Sequence, residues 1–256
     1  MFSVLHLVLI TLAAIAAGAI NALAGGGTLL TFPTLIAVGL PAVAANVTNT
    51  VALCPGYVGG TLAQFNDLRG QRTRLWITLP AGVIGGLIGG ILLLQTGEKL
   101  FRELVPFLIL LASALLAIQE PVRRWLTRRL SQGSSAKMEP WSWLPVGLAA
   151  IYGGYFGAGM GVLMIGLFLI AAHIGVQESA GLRMWCATGV NTLAVAAFVV
   201  KGIVVWRLAI PMLICTLIGG YWGAHAVQRL TPETARRAVL VFAWIMSLWL
   251  LVRSWE

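Results

Sequence analysis

Long apolar runs without a charge set the first-order picture of this chain. No Asp, Glu, Lys or Arg occurs in 1–66, 75–97, 104–119, 140–177, 184–200, 208–228 or 238–252, and all charges fall in short segments between these runs. A membrane-spanning helix needs about 20 apolar residues. Flanking Lys and Arg extend the shortest runs by reaching toward the headgroups. The runs are continuous in Leu, Ala, Val and Gly rather than alternating, which predicts helices and argues against a β-barrel. Two runs carry an interruption: Gly25-Gly26-Gly27 in the first, and Gly157-Ala158-Gly159-Met160-Gly161 in 140–177. A broken helix frees N–H and C=O groups that lipid cannot satisfy, so they must face protein, water or a substrate. Breaks at corresponding places in two halves of a membrane chain point to a transport site.

The polar positions repeat as well. Asn49-Thr50-Val51-Ala52 parallels Asn191-Thr192-Leu193-Ala194, and Pro80 with Gly89-Gly90 parallels Pro211 with Gly219-Gly220. Residues 1–119 form a predicted first repeat, 120–139 a polar, flexible, basic linker on the cytoplasmic side, and 140–256 a second repeat. The run from Phe2 to Gly39 would extend over about 50 Å as one helix, against a hydrocarbon core of roughly 30 Å. The chain is therefore expected to break at Gly25–Gly27 and run a second half-helix to Gly39-Leu40-Pro41, with Pro41 in the first turn of the next helix. Two crossings per long block give four spans per half, and three give five spans and inverted repeats. The loops 67–74 and 201–207 are both basic, which favours placing them on one face: four plus four spans, with both termini in the cytoplasm. Eleven Lys and Arg then lie inside and six outside, the outer cluster at 229–237 fitting least well.

Composition agrees with the pattern. The 256 residues are 59% hydrophobic and 10% charged with mean hydropathy +0.91, whereas soluble domains carry about 25% charged residues. The fold class is an all-α polytopic membrane protein: about eight transmembrane helices in two repeated four-helix halves with broken first helices. The net charge of +9 sits in loops between spans, where topology accounts for it, so nucleic acid is not an expected partner. The N-terminal segment has no Lys or Arg in Met1–Leu9 and stays hydrophobic beyond Ala24, which reads as retained rather than as a signal peptide. Cys54, Cys186 and Cys215 form no CxxC, and His6, His173 and His225 have no zinc-ligand spacing, so neither metal nor cofactor is expected. The tryptophans at 76, 141, 143, 206 and 222 read as interfacial anchors.

The candidate chemistry is anion binding. Gly25, Gly26, Gly27 and Thr28 open a new helix whose free N–H groups and positive dipole end suit an oxyanion, and glycine allows close approach. Gly157, Gly159 and Gly161 do the same in the second half. The competing reading is close helix packing through small residues. Asn46, Thr48, Asn49, Thr50 and Thr188, Asn191, Thr192 follow each break and offer neutral donors. Their alternative is interhelical hydrogen bonding at about 0.6 kcal/mol each. Asn21 and Tyr155 flank the breaks. Arg183 is the one charge placed to enter a cavity, although Glu178 lies five residues back and could pair with it. No acidic residue is deep in a span, so a central carboxylate relay is not visible. No paired carboxylates or Ser/His arrangement support an enzyme.

These residues resemble the TauE/SafE sulfite-exporter family, also called the 4-toluene sulfonate uptake permease family. The similarity runs through Asn21 to Thr28, Pro33, Gly39 to Pro41, Ala45-Asn46-x-Thr48-Asn49-Thr50 and Pro55-Gly56, then from Gly153–Gly157 through Arg183 to the helix of Asn191. The second break departs from it in lacking a triple glycine and a following threonine. The resemblance implies a multi-pass bacterial inner (plasma) membrane protein of duplicated four-helix halves that moves sulfite, sulfonates or related sulfur-containing anions. A secondary transporter with alternating access between two repeats is the expectation, with a passive anion channel or a non-transport membrane scaffold as alternatives. Expected partners are a small anionic substrate and membrane lipid. Protons or sodium are the candidate driving ions, and a homodimer is the assembly to test.

Overall fold

The computed structural model describes residues 3–23, 26–63, 65–130, 143–172, 176–226 and 232–254. Ten α-helices cover most of them: α1 (Val4–Leu23), α2 (Thr28–Ala37), α3 (Ala42–Ala63), α4 (Arg72–Thr96), α5 (Glu98–Leu130), α6 (Trp143–Tyr155), α7 (Met160–Ala172), α8 (Val176–Val200), α9 (Trp206–Ala226) and α10 (Pro232–Ser254). A short 3₁₀ turn, Phe65–Leu68, precedes α4, and no strand occurs among the described residues. By length and composition Val4–Asn21, Arg72–Thr96, Glu98–Val122 and Gly181–Val200 can each cross a membrane. Shorter apolar helices add Thr28–Ala37, Trp206–Gly220 and Arg237–Leu250. The outer surface exposes large apolar side chains such as Leu12, Ile84, Phe107, Leu148, Ile214 and Ile245, as expected of a chain whose exterior faces lipid rather than water. Trp76, Trp143 and Trp206 are exposed close to helix ends.

The sequence explains where helices stop. Gly39 has φ +94, and Leu40 N–H donates to Leu35 O at 3.1 Å while Gly39 N–H donates to Ile36 O at 2.9 Å. That is a Schellman termination of α2, with Gly39 supplying the left-handed residue. Pro41 follows, and its carbonyl accepts from Ala45 N–H at 2.8 Å to start α3. The first turn of α3 is capped from a distance: both oxygens of Glu98, at the head of α5, accept from the N–H groups of Ala42 and Val43. Arg102, one turn on, lies 3.7 Å from the same carboxylate.

Glycine decides how the helices pair. α1 lies on α9 and α6 on α4, each closely. A Cβ on Gly219 would overlap Ile15 O, and one on Gly89 would overlap Ile151 O. Likewise Gly18 is pressed on Thr216 O and Gly154 on Gly86 O. Such backbone-to-backbone approach is the packing that small residues make possible where lipid supplies no hydrophobic drive.

Each side of the central linker holds five helical pieces, as a broken first helix requires, and the two pieces at each break fold back on one another instead of continuing along one axis. A Cβ on Gly27 would sit 2.6 Å from Ala17 O, a full turn or more back along α1, and Met160 Sδ lies against Gly153 of α6. In addition, α4 and α8 run in the same direction, with Gly82 against Cys186 and Val190, Gly86 against Val190, and Gly90 against Ala194 and Phe198. The turn before α4 and the turn after α8 are therefore at opposite ends of the bundle, so the basic loops 67–74 and 201–207 do not share a face. The expected linker from 120 also begins as helix: α5 continues to Leu130, and Arg124 Nε bonds Glu120 at 3.0 Å. Its remaining residues lie outside the described ones.

Candidate functional site

The second break is built from three local choices. Gly157 and Gly159 have φ +82 and +80, a conformation that costs a side-chain-bearing residue about 1–2 kcal/mol. Tyr152 OH donates to Ala158 O at 2.7 Å and fixes the loop from inside. The helix α7 then starts at Met160, and among the described residues no acceptor faces the N–H groups of Ala158, Gly159 or Gly161. The first break is more filled. Gly26 has φ +100, and Asn21 Oδ1 accepts from Gly27 N–H at 2.8 Å, so one amide expected to be open is taken by a side chain. Gly25 lies outside the described residues.

Both breaks press on one stretch of α5. Leu116 lies over Gly26, and Ala112 and Leu115 lie over Gly159. Phe32, one turn into α2, meets Phe156 of the second break edge-on at 5.3 Å, and Phe101 meets Tyr155 at 5.6 Å. Asn46 Nδ2 donates to Tyr155 O at 2.9 Å, while Asn46 Oδ1 is buried without a donor. Tyr155 OH reaches Thr96 Oγ1 at 3.3 Å. The aromatic cluster thus fills the space between the breaks and the end of the bundle that carries Glu98.

On the other side stands Arg183, the eighth residue of α8 and about 10 Å along it. Its guanidinium lies across the start of α7: a Cβ on Gly161 would come 3.0 Å from Nη1 and 3.3 Å from Cδ. Its Nε is enclosed and makes no hydrogen bond, while part of the residue remains accessible. No described carboxylate pairs with it, and the side chain of Glu178 is outside the description. Tyr57 of α3 faces both Arg183 and the buried Thr28 at the start of α2. The N-termini of two half-helices, a phenol, a hydroxyl and a guanidinium are thereby gathered in one region, and among the described residues every charge or dipole end in it is positive.

The remaining predicted residues divide. Asn49 Oδ1 accepts from Thr31 of α2, tying α3 to the first hairpin. Thr48 Oγ1 accepts from Val205 N–H at 3.1 Å, at the turn between α8 and α9 and away from Arg183. Thr50, Thr192 and Asn191 bond back to carbonyls four residues earlier in their own helices, and Thr192 is exposed. Thr188 meets Thr61 at 2.9 Å, joining α8 to α3. Tyr57, Tyr152 and Thr61 were not among the predicted residues, whereas Thr31 was expected to add a hydroxyl beside Thr28. A signal existed for Tyr57 and Tyr152, since both fall within apolar stretches rather than at span ends, where interfacial anchoring would place a tyrosine.

Comparison with known proteins finds membrane transporters. The chain is 24% identical over 233 residues to a "Probable membrane transporter protein" of Haemophilus influenzae, covering 89% of this chain and 88% of the relative. It is 24% identical over 259 residues to the "Probable membrane transporter protein YfcA" of Escherichia coli K12, covering 99% and 93%. A "Probable membrane transporter protein ORF9" of Sinorhizobium sp is also 24% identical, over 244 residues. No solved structure matches the chain. The model of the family described as "Sulfite exporter TauE/SafE" matches residues 10–250. With nearly all of the described helices inside that match, the chain belongs to the sulfite exporter TauE/SafE family of membrane transporters.

Proposed function

We propose that the protein is a secondary transporter of small sulfur-containing oxyanions, sulfite or a sulfonate, in a bacterial inner membrane. The observation that carries this reading is Arg183: a guanidinium set against Gly161 at the head of α7, with an enclosed Nε that has no partner. Enclosing a charge away from water costs several kcal/mol unless an opposite charge meets it. An anion seated between Arg183, the amides of Ala158 to Gly161, Tyr57 and Thr28 supplies that charge. Gly26, Gly27, Asn21, Asn46 and Asn49 then hold the first hairpin and the partner helix in place around it.

The pairing of α1 with α9 and α6 with α4, together with parallel α4 and α8, supports two inverted halves, each a re-entrant hairpin followed by three crossings. Ser247 Oγ donates to Pro106 O at 3.1 Å, which sets the end of α10 beside the start of α5. One end of the bundle then carries Arg69, Arg72, Arg74, Arg123, Arg124, Arg128, Arg129, Arg236 and Arg237. The other carries Lys99, Arg102, Lys201, Arg207 and Arg253. The first end is cytoplasmic by the positive-inside rule, and both termini are periplasmic. The aromatic cluster closes the periplasmic side, and the Arg183 side opens to the cytoplasm; movement of the hairpins against α5 alternates access.

The test is flux of labelled sulfite and methanesulfonate into proteoliposomes, with and without imposed proton or sodium gradients. Saturable, gradient-coupled flux that Arg183→Gln abolishes supports the proposal. Flux that neither saturates nor couples identifies a channel, and no flux from inserted protein identifies a scaffold.

A further inference from the structure

We infer that this site selects singly charged anions and rejects doubly charged ones of the same shape. The inference rests on the anion-binding reading of the Arg183 region and adds the charge state of what binds there. Its basis is a count of charges. Among the described residues Arg183 is the one charged side chain at the two half-helix starts; the other contributors are the Tyr57 and Thr28 hydroxyls and the backbone of Ala158 to Gly161. No described Lys, second Arg or His reaches this region. Gly161 leaves room for the guanidinium beside the first turn of α7, and a side chain there would displace it.

Desolvation and attraction scale differently with charge. The Born cost of moving an ion into a low-dielectric space rises with the square of its charge. Its Coulomb attraction to one guanidinium rises only linearly. Doubling the charge therefore quadruples the cost and doubles the gain. A monoanion leaves the site neutral, whereas a dianion leaves one uncompensated negative charge inside the membrane. The half-helix dipoles offset part of that charge, each being equivalent to about half an elementary charge at most. They are themselves partly used, since Asn21 already occupies the Gly27 amide. Hydrogen-bond donors in the region are neutral apart from Arg183, and neutral donors bind more weakly than charged ones. The class of ligand is thus a sulfonate or a hydrogen-bearing sulfur oxyanion with a single negative charge.

The experiment is equilibrium binding of methanesulfonate, methyl sulfate and sulfate to the purified full chain in detergent at one pH, followed by calorimetry or intrinsic tryptophan fluorescence. Sulfate is smaller than methyl sulfate, so weak sulfate binding is not steric. The expected result is that both monoanions bind and that sulfate binds at least about tenfold more weakly, one decade of affinity. Arg183→Gln is expected to abolish monoanion binding, and Arg183→Lys, which keeps the charge, to retain part of it with the same ranking. Sulfate binding as tightly as methyl sulfate, with dependence on Arg183 intact, overturns the charge selection while leaving the site in place. Binding that survives in a folded Arg183→Gln protein, or no binding of any anion, overturns the site itself.

Discussion

Arg183 and Gly161 share one space in the first turn of α7: the guanidinium occupies the room that a side chain at 161 would need. A cation at the N-terminus of a helix meets the positive end of its dipole, a mildly unfavourable arrangement. Its persistence here is understandable when an anion is the third member of the set.

Gly161→Val follows directly from that pairing. The branched side chain pushes Arg183 away from the start of α7, and transport of either anion is expected to fall by at least about tenfold, equivalent to roughly 1.4 kcal/mol of lost binding or barrier stabilisation. Gly161→Ala, with its Cβ at 3.0 Å from a flexible side chain, is expected to lose less. Proteoliposome flux, normalised to inserted protein, checks both. Equal flux from Val and wild type removes Gly161 from the site.

Phe156→Ala tests the seal proposed for the periplasmic side. Phe156 is buried and packs edge-on against Phe32 at 5.3 Å and Phe101 at 6.5 Å. Its removal leaves a cavity worth about 3–5 kcal/mol in an ordinary core, opened between the breaks and the Glu98 end. The expected outcome is a lower melting temperature together with uncoupled anion leak, measured as flux that no longer requires the driving gradient. A destabilised variant that remains fully coupled places the seal elsewhere.

Glu98→Ala tests the long-range cap. Losing the carboxylate strands the Ala42 and Val43 amides at the start of α3, and loss of a side-chain cap costs about 0.5–2 kcal/mol. The measurement is thermal unfolding in detergent, with a fall in melting temperature expected. Glu98→Gln keeps one acceptor and should lie between.

Topology gives a fourth test. Tags at both ends of the chain should be reached by a membrane-impermeant reagent from the periplasm, and a cysteine in place of Arg69 from the cytoplasm. Cytoplasmic termini would reverse the orientation proposed here.

Much of this arrangement was legible in the residues. Gly39 and Pro41 marked the end of α2 and the start of α3, and the two glycine-rich interruptions marked both hairpins. Arg183 stood out as a charge without a loop. What the residues could not reveal was whether the chain continues through a break or turns back, because the same glycines permit either. That single ambiguity changes the parity of crossings, and with it the face of every later loop. Basic loops at 67–74 and 201–207 favoured two crossings per long block, although the second holds only Lys201 and Arg207, and the parallel α4 and α8 put the two loops at opposite ends. The parallel course of α4 and α8 depends on which glycine meets which carbonyl across more than a hundred residues, and no local pattern encodes it. Tyr57 escaped notice for a similar reason: its role depends on α3 passing Thr28 and Arg183, which are 29 residues before it and 126 after it. Thr50 and Thr192 bond within their own helices, a use of a threonine hydroxyl that sequence cannot tell from ligand binding.

The crossed stacking of first and fourth helices has a bearing on how the molecule is made. Gly219 meets Ile15, so α1 leaves the ribosome some two hundred residues before the surface it will rest on has been synthesised. Its smooth glycine side must wait in lipid or beside the insertion machinery. A chain severed between the halves would leave both α1 and α6 without their seats, and only co-expression of the two fragments could restore them.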